Sequence, residues 1–206
     1  KTIESLVDSL INQTIKPAEI IIVDGGSTDK TWEILKKKKG LLSFQISGNR
    51  SMGRNFGVSK AKSPIIAFTD AGCIPHPNWL EELMKPFGQN ADVVSGYYEG
   101  KAENVFQKCL IPFVLVMPDK LKGEFLPATR SMAIRKDVFL ELGGFNERLA
   151  HNEDFAFATK LKSRGFAPVF TRNAIVTWLP RQNLKSAAWM FLRFAIGDAQ
   201  AGIFRP

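Results

Sequence analysis

Two aspartates stand where short apolar runs end: Asp24 after Ile20-Ile21-Ile22-Val23, and Asp70 after Ile65-Ile66-Ala67-Phe68-Thr69. A third acidic group, Glu153-Asp154, opens an amphipathic segment within His151-Asn152-Glu153-Asp154. In an open parallel sheet the binding crevice lies beyond the carboxyl ends of the strands. Asp24 and Asp70 would therefore reach one sheet edge, where a nucleotide base, a ribose or a metal ion could meet them. Gly25-Gly26 and Ala71-Gly72 flank them, and such small residues let a ligand approach the backbone closely. Each aspartate alone also reads as a turn or cap residue, and Glu153-Asp154 as an acidic helix start that complements the macrodipole. The pairing of Asp24 with Asp70 favours a site.

The elements that must position these residues alternate in type. Ile3, Leu6, Val7, Leu10 and Ile11 fall at helical spacing over residues 3–13, and Lys16-Pro17 ends the pattern. The β-branched run 20–23 predicts a strand covered on both faces. Gly25-Gly26-Ser27-Thr28-Asp29 forms a turn into a helix over 31–39. A helix over 51–61, the strand 65–69, a helix after Asn78 and a strand over 93–97 follow. Beyond residue 100 the pattern predicts a helix around Pro112, a strand over 131–135 and a short helix stopped by Gly143-Gly144. A helix from Glu153 to Arg164, a last strand over 174–178 and a long basic, aromatic helix from about Leu184 complete it. Strand and helix in alternation imply a mostly parallel α/β sheet with helices on both faces, in one domain over 1–206.

Bulk properties narrow the partners. The 206 residues are 45% apolar and 23% charged, an ordinary globular composition. Twenty-eight Lys plus Arg against 20 Asp plus Glu give a formal +8, which favours anionic partners. The basic residues do not interleave with exposed aromatics in a stacking pattern, which argues against nucleic acid, and Lys36 to Lys39 suits a helix end. Cys73 and Cys109 match no zinc or redox spacing, so a reduced cytoplasmic chain is expected. No secretory signal is visible, and no run reaches the ~20 apolar residues that cross a bilayer. His76 and His151 lack metal spacing to a partner.

Ile21-Ile22-Val23-Asp24-Gly25-Gly26-Ser27-Thr28-Asp29-Lys30-Thr31 resembles the first signature of family 2 glycosyltransferases, V-D-D-G-S-x-D-x-T. Further segments follow in family order. Gly53-Arg54-Asn55-Phe56-Gly57 resembles A-R-N-x-G, and Phe68-Thr69-Asp70-Ala71-Gly72 resembles the D-x-D block. Gly143-Gly144-Phe145-Asn146-Glu147 resembles the G-G-F-x-E turn, and Glu153-Asp154 stands at the family's E-D pair. The resemblance covers residues 1 to about 170. It implies a GT-A, Rossmann-like fold and inverting sugar transfer from a nucleotide-diphosphate sugar, UDP-sugars favoured, to a glycan or lipid-linked acceptor in cell-envelope polysaccharide synthesis.

By that resemblance Asp24 binds the base, Asp29 and Arg54 frame the nucleotide with Gly26, and Asp70 and Ala71 face the ribose and diphosphate. Asp154 is the general base that takes the acceptor's proton, with Glu153 and Arg130 on the acceptor side. Positive charge from a divalent metal, Arg or Lys must stabilise the leaving diphosphate.

Departures qualify the match. Gly25 replaces the pattern's second Asp. Gly72 replaces the last Asp of D-x-D, so Mg²⁺ or Mn²⁺ would rest on Asp70, the diphosphate and waters, or basic side chains would substitute. The family's first strand is absent ahead of the opening helix, an N-terminal truncation in the family's terms. These departures sustain an alternative, a non-catalytic nucleotide-sugar-binding module. A nucleotidyltransferase of related fold would not explain Glu153-Asp154. The tail over 183–206, with Trp189, Phe191, Arg193 and Arg205, reads as a basic amphipathic helix that packs on the sheet or docks on the cytoplasmic membrane face.

Overall fold

The computed structural model describes residues 2–118 and 125–203. Arg205 and the end of the expected tail helix lie outside the described residues. Eight helices and seven strands alternate in the described chain: α1 (Thr2–Ile11), β1 (Ile21–Asp24), α2 (Thr31–Lys37), β2 (Leu42–Gln45), α3 (Arg50–Lys60), β3 (Ile65–Phe68), β4 (Cys73–Pro75), α4 (Trp79–Met84), β5 (Val93–Gly100), α5 (Val105–Val114), β6 (Met132–Arg135), α6 (Lys136–Glu141), α7 (Glu153–Ser163), β7 (Val169–Trp178) and α8 (Leu184–Ala201).

The strands form a five-stranded sheet of order β3-β6-β5-β7-β4 and a two-stranded sheet, β1-β2. Alternation of elements predicts a mostly parallel sheet, and here the chain corrects it. β1 pairs parallel with β2 and β5 with β7, but β6 runs antiparallel to both β3 and β5, and β4 antiparallel to β7. The reversal at β6 is local: a tight bridge joins Ala128 to Ser131 immediately before it, and this turn, not a helical crossover, feeds the strand in. β2, β4 and the first half of β7 are strands that hydrophobic periodicity did not announce. Each is too short or too polar to show a period of two.

Side-chain alternation along β5 and β6 sorts the core into two layers. Val93, Met132 and Ile134 pack with Val138, Phe139, Phe157 and Leu161 of α6 and α7. Val94 and Ala133 pack with Trp79, Leu80 and Leu83 of α4, Leu110 of α5 and Met190 of α8. Helices thus cover both faces of the sheet, as expected. The opening helix α1 buries Ile3, Leu6 and Val7 against Leu35 of α2.

β1 and β3 do not pair with each other. Ile21, Ile22 and Val23 on one side and Ile65, Ile66 and Ala67 on the other are only half-buried, and all line one cavity of about 1560 Å³. The full two-sided cover expected of these runs is therefore not reached.

Candidate active site

The site is assembled on α3, which lies along β1. A Cβ on Gly53 or Gly57 would stand 3.7 and 3.5 Å from the Val23 methyls, ordinary contact distance, so this face of the helix packs directly on the strand. Asn49 caps α3, its side-chain oxygen accepting from the Met52 backbone N–H at 3.0 Å. From this helix Asn55 reaches into the turn after α6. Its amide donates to the Phe145 carbonyl at 2.9 Å and its oxygen accepts from the Phe145 N–H at 3.0 Å. Gly143 and Gly144 take left-handed backbone, φ 72° and 66°, and a Cβ on Gly144 would meet Asn55 Oδ1 at 2.8 Å. Two motifs far apart in sequence are thereby fastened to each other, which carries the start of α7 to the face of α3.

Arg54 is the centre of the arrangement. One guanidinium nitrogen donates to Asp70 Oδ1 at 2.7 Å and the other to Glu153 Oε1. The Arg54 side chain is 15% exposed, Asp70 31% and Glu153 3%. Burial works against the Arg54 charge, but the Asp70 and Glu153 carboxylates outweigh it and raise the guanidinium above its ordinary value. Burial likewise pushes the Asp70 carboxyl up, and the charges of Arg54 and Arg130 reverse this, holding it below the ordinary range. Glu153 Oε2 is buried with no hydrogen-bond partner.

Arg130 completes the cluster from the other side. Its guanidinium stands over the Tyr98 ring, 5.3 Å from the centroid. Against the cost of burial, the charges of Tyr98, Asp70 and Asp154 raise it. Asp154, next to Glu153 in the first turn of α7, accepts from the Phe155 N–H at 2.9 Å. Its charge also acts on Arg54, Arg130 and Tyr98. The charges of Asp70 and Asp154 therefore both act on the same pair of arginines.

Other expected residues stand differently. Asp24 is buried at the end of β1, and its carboxylate accepts from Ser27 Oγ at 2.5 Å and Gln45 Nε2 at 2.8 Å. Burial raises its pKa, but these bonds outweigh it and hold the carboxyl below the usual range. Its contacts are with the turn and β2, not with Arg54. Asp29 is exposed and accepts from the Thr31 N–H at 3.0 Å at the start of α2, and Gly26 is exposed with φ 93°. Ala71 follows Asp70 on the cavity wall, beside Gly25, Arg54, Asp70 and Arg130.

Asn152 does not cap α7: it takes left-handed backbone, φ 57°, makes no cap bond, and donates instead to the Phe194 carbonyl and Asp198 of α8. His76, in the loop after β4, sits half-buried between Thr177 and Glu99, 3.1 and 3.2 Å away. Cys73 and Cys109 are free thiols. Nothing in the sequence marks Tyr98 or Gln45 individually, and Ser27 stands out only as part of the Gly25-Gly26-Ser27-Thr28-Asp29 turn.

Among the described residues no group of three or more His, Cys, Asp or Glu could hold a metal. Asp70, with Oδ1 given to Arg54, can offer one carboxylate to an ion that takes its remaining ligands from a phosphate-bearing molecule and water. Mg²⁺ commonly accepts such a site.

An α/β sheet with helices on both faces is the architecture of GT-A domains, although Asp24 and Asp70 stand at the ends of strands in separate sheets and, of the two, only Asp70 lines the cavity. The crystal structure of S. aureus TarS matches with a TM-score of 0.69 over 87% of this chain and 34% of that one, at 19% identity, a likeness of fold. Residues 1–142 match the family model Glycosyl transferase family 2, and the chain belongs to that family.

Among curated relatives, the poly(ribitol-phosphate) beta-N-acetylglucosaminyltransferase TarP of Staphylococcus aureus is 37% identical over 111 residues, 48% of this chain and 34% of TarP. Glycosyltransferase AglE of Haloferax volcanii is 24% identical over 191 residues, 85% of this chain and 62% of AglE. WfaP of Escherichia coli, a UDP-Glc:alpha-D-GlcNAc-diphosphoundecaprenol beta-1,3-glucosyltransferase, is 42% identical over 74 residues, 34% of this chain and 30% of WfaP. The chain thus spans about a third of TarP and less than two thirds of AglE.

Proposed function

We propose that this chain carries the donor-binding and catalytic machinery of an inverting glycosyltransferase that uses a nucleotide-diphosphate sugar, a UDP-sugar by preference. The observation that carries the reading is Arg54 joined to both Asp70 and Glu153, which brings the Asp154 turn to the cleft that Asp70 enters. Asp24 and Asp29 recognise the base side, Gly25-Gly26 admits the donor to the backbone, and Asp70 and Ala71 face the ribose and diphosphate.

In the reaction the acceptor hydroxyl oxygen attacks the anomeric carbon from the face opposite the diphosphate. The bond from that carbon to the diphosphate oxygen breaks, and Asp154 takes the hydroxyl proton. A positioned base contributes ~10² to 10⁴ in rate. Arg130 provides fixed positive charge toward the departing diphosphate, while Arg54 holds Asp70 and Glu153 in place. Asp70 would hold Mg²⁺ or Mn²⁺ with the donor and water, and an ion there would neutralise charge on the leaving group.

The acceptor is a glycan or a lipid-linked glycan of cell-envelope synthesis, in keeping with the names of TarP and WfaP. A peripheral membrane contact at the cytoplasmic face is part of the reading. α8 carries exposed Trp189, Leu192 and Ile196 beside Arg193, while no described helix is long and apolar enough to cross a membrane. A second reading, a sugar-nucleotide-binding module without turnover, is favoured by one feature, Gly72 in place of a second metal carboxylate.

Thermal-shift screening of a nucleotide-sugar panel with and without Mn²⁺, followed by transfer assays on the donors that bind, tests both readings. A donor that stabilises the protein and is turned over supports the enzyme. Binding with no turnover under any metal supports the module, and no binding across the panel contradicts both.

A further inference from the structure

Three arginines of the cavity wall are left over from the Arg54 network. Arg50 opens α3, Arg181 follows β7 and Arg193 lies on α8. None makes an ion pair or a side-chain hydrogen bond among the described residues. All three line one cavity together with His151. Burial lowers the pKa of His151 and of Arg181, and the charges of both Arg50 and Arg193 lower each further. Like charges gathered without a counter-ion repel, and a ligand anion would relieve that repulsion.

The scaffold holds the cluster in place. Ser51 Oγ donates to the Leu149 carbonyl at 2.7 Å and Asn49 Nδ2 to that of Glu147 at 2.6 Å, tying the start of α3 to the segment before His151. α8 is pinned to the same turn: Asn152 Nδ2 reaches the Phe194 carbonyl at 2.9 Å and Asp198 at 2.7 Å, and a Cβ on Gly197 would lie 2.7 Å from that of His151. Gln107 Nε2 donates to the Pro180 carbonyl at 3.2 Å, fixing the approach to Arg181.

We propose that Arg50, Arg181 and Arg193 bind a phosphate or diphosphate ester carried by the acceptor. The assignment to the acceptor rests on the proposed catalytic reading, because His151, on the same cavity wall, lies three residues before Asp154 in the chain, while the donor's base side lies at Asp24. Guanidinium forks suit phosphate oxygens. Arg193 is exposed, and Trp189, four residues earlier and so on the same side of α8, is 56% exposed on the cavity wall. That pairing places an apolar surface beside the charge for the rest of the acceptor.

The test is calorimetric titration of the chain with inorganic pyrophosphate, alone and in saturating UDP. Wild type is compared with Arg181→Gln/Arg193→Gln and with Lys37→Gln/Lys39→Gln, which removes the same charge from the region of α2. The expected result is pyrophosphate binding that persists in UDP and weakens ~10-fold or more in the arginine variant. It should change less than ~3-fold in the lysine variant, with UDP affinity unaltered in both. Displacement of pyrophosphate by UDP, equal loss of UDP binding in the arginine variant, or equal weakening in the lysine variant would overturn the proposal. Failure of wild type to bind UDP, with arginine-dependent pyrophosphate binding intact, would strike the donor reading and leave this site standing.

Discussion

Arg54 donates to Asp70 at 2.7 Å while its other terminal nitrogen is committed to Glu153. One cation thus serves two carboxylates, one of them nearly inaccessible to water. Removing the cation strands both, and a buried charge without its partner is far more costly than the pair itself. Arg54→Met should lower unfolding stability by ~3 to 5 kcal/mol in urea denaturation, and Arg54→Met/Glu153→Met should recover a substantial part. Lysine should not restore the wild-type value, since one ammonium cannot present two guanidinium edges at once. Stability of Arg54→Met within ~0.5 kcal/mol of wild type would show that the bridge carries little.

Gly72 occupies the place where the family pattern has its second metal carboxylate, and a Cβ there meets nothing within 4 Å. Gly72→Asp should therefore fold normally and add a carboxylate near Asp70. We expect a larger Mn²⁺-induced rise in Tm than in wild type, measured with donor present. An identical Mn²⁺ response in the two proteins would place position 72 away from any ion.

The carboxyl ends of β1 and β3, the Gly143-Gly144 stop and the start of α8 could be read from hydrophobic runs and helix punctuation, because those signals are local. The sheet could not be read as fully. β6 turns antiparallel after a tight bridge at Ala128 and Ser131, and nothing in Met132-Ala133-Ile134-Arg135 encodes its direction. Glu153 illustrates the same limit at the site. An acid at a helix start is explained by the dipole, yet Asn152 leaves the cap unmade and Glu153 turns to Arg54. The Asn55 bridge to Phe145 is likewise invisible in the sequence, although both motifs stand out in it, since pairing is a property of the fold.

Asp24 predicts an acid response. Burial raises its pKa, the bonds from Ser27 and Gln45 outweigh that, and the folded value lies below the unfolded one. The stabilisation is complete above the ordinary carboxylate range near ~4 and is lost as pH falls through the depressed folded value. Asp24→Asn should flatten the acid limb of a stability-versus-pH curve while weakening donor binding at neutral pH. An acid limb unchanged by the substitution would remove this account of Asp24.

Gly96 lies at the irregularity where β5 shifts register against β7. A Cβ there would come within 2.0 Å of Ser131 Oγ, the hydroxyl that accepts from Trp79 Nε1 at 2.8 Å and donates to the Ala174 carbonyl at 3.0 Å. Gly96→Ala should cost ~1 to 3 kcal/mol, read as a lower Tm. A Tm equal to wild type would mean that the strand yields there without penalty.

The central claim is that Asp154 takes the acceptor's proton at a cleft whose donor side it does not build. Steady-state turnover and donor affinity of Asp154→Asn, measured on one preparation, test it most directly. The account predicts kcat reduced ~10²-fold or more, with the Kd for the nucleotide-sugar within ~3-fold of wild type. Turnover close to wild type, or loss of donor binding in step with loss of turnover, would contradict it.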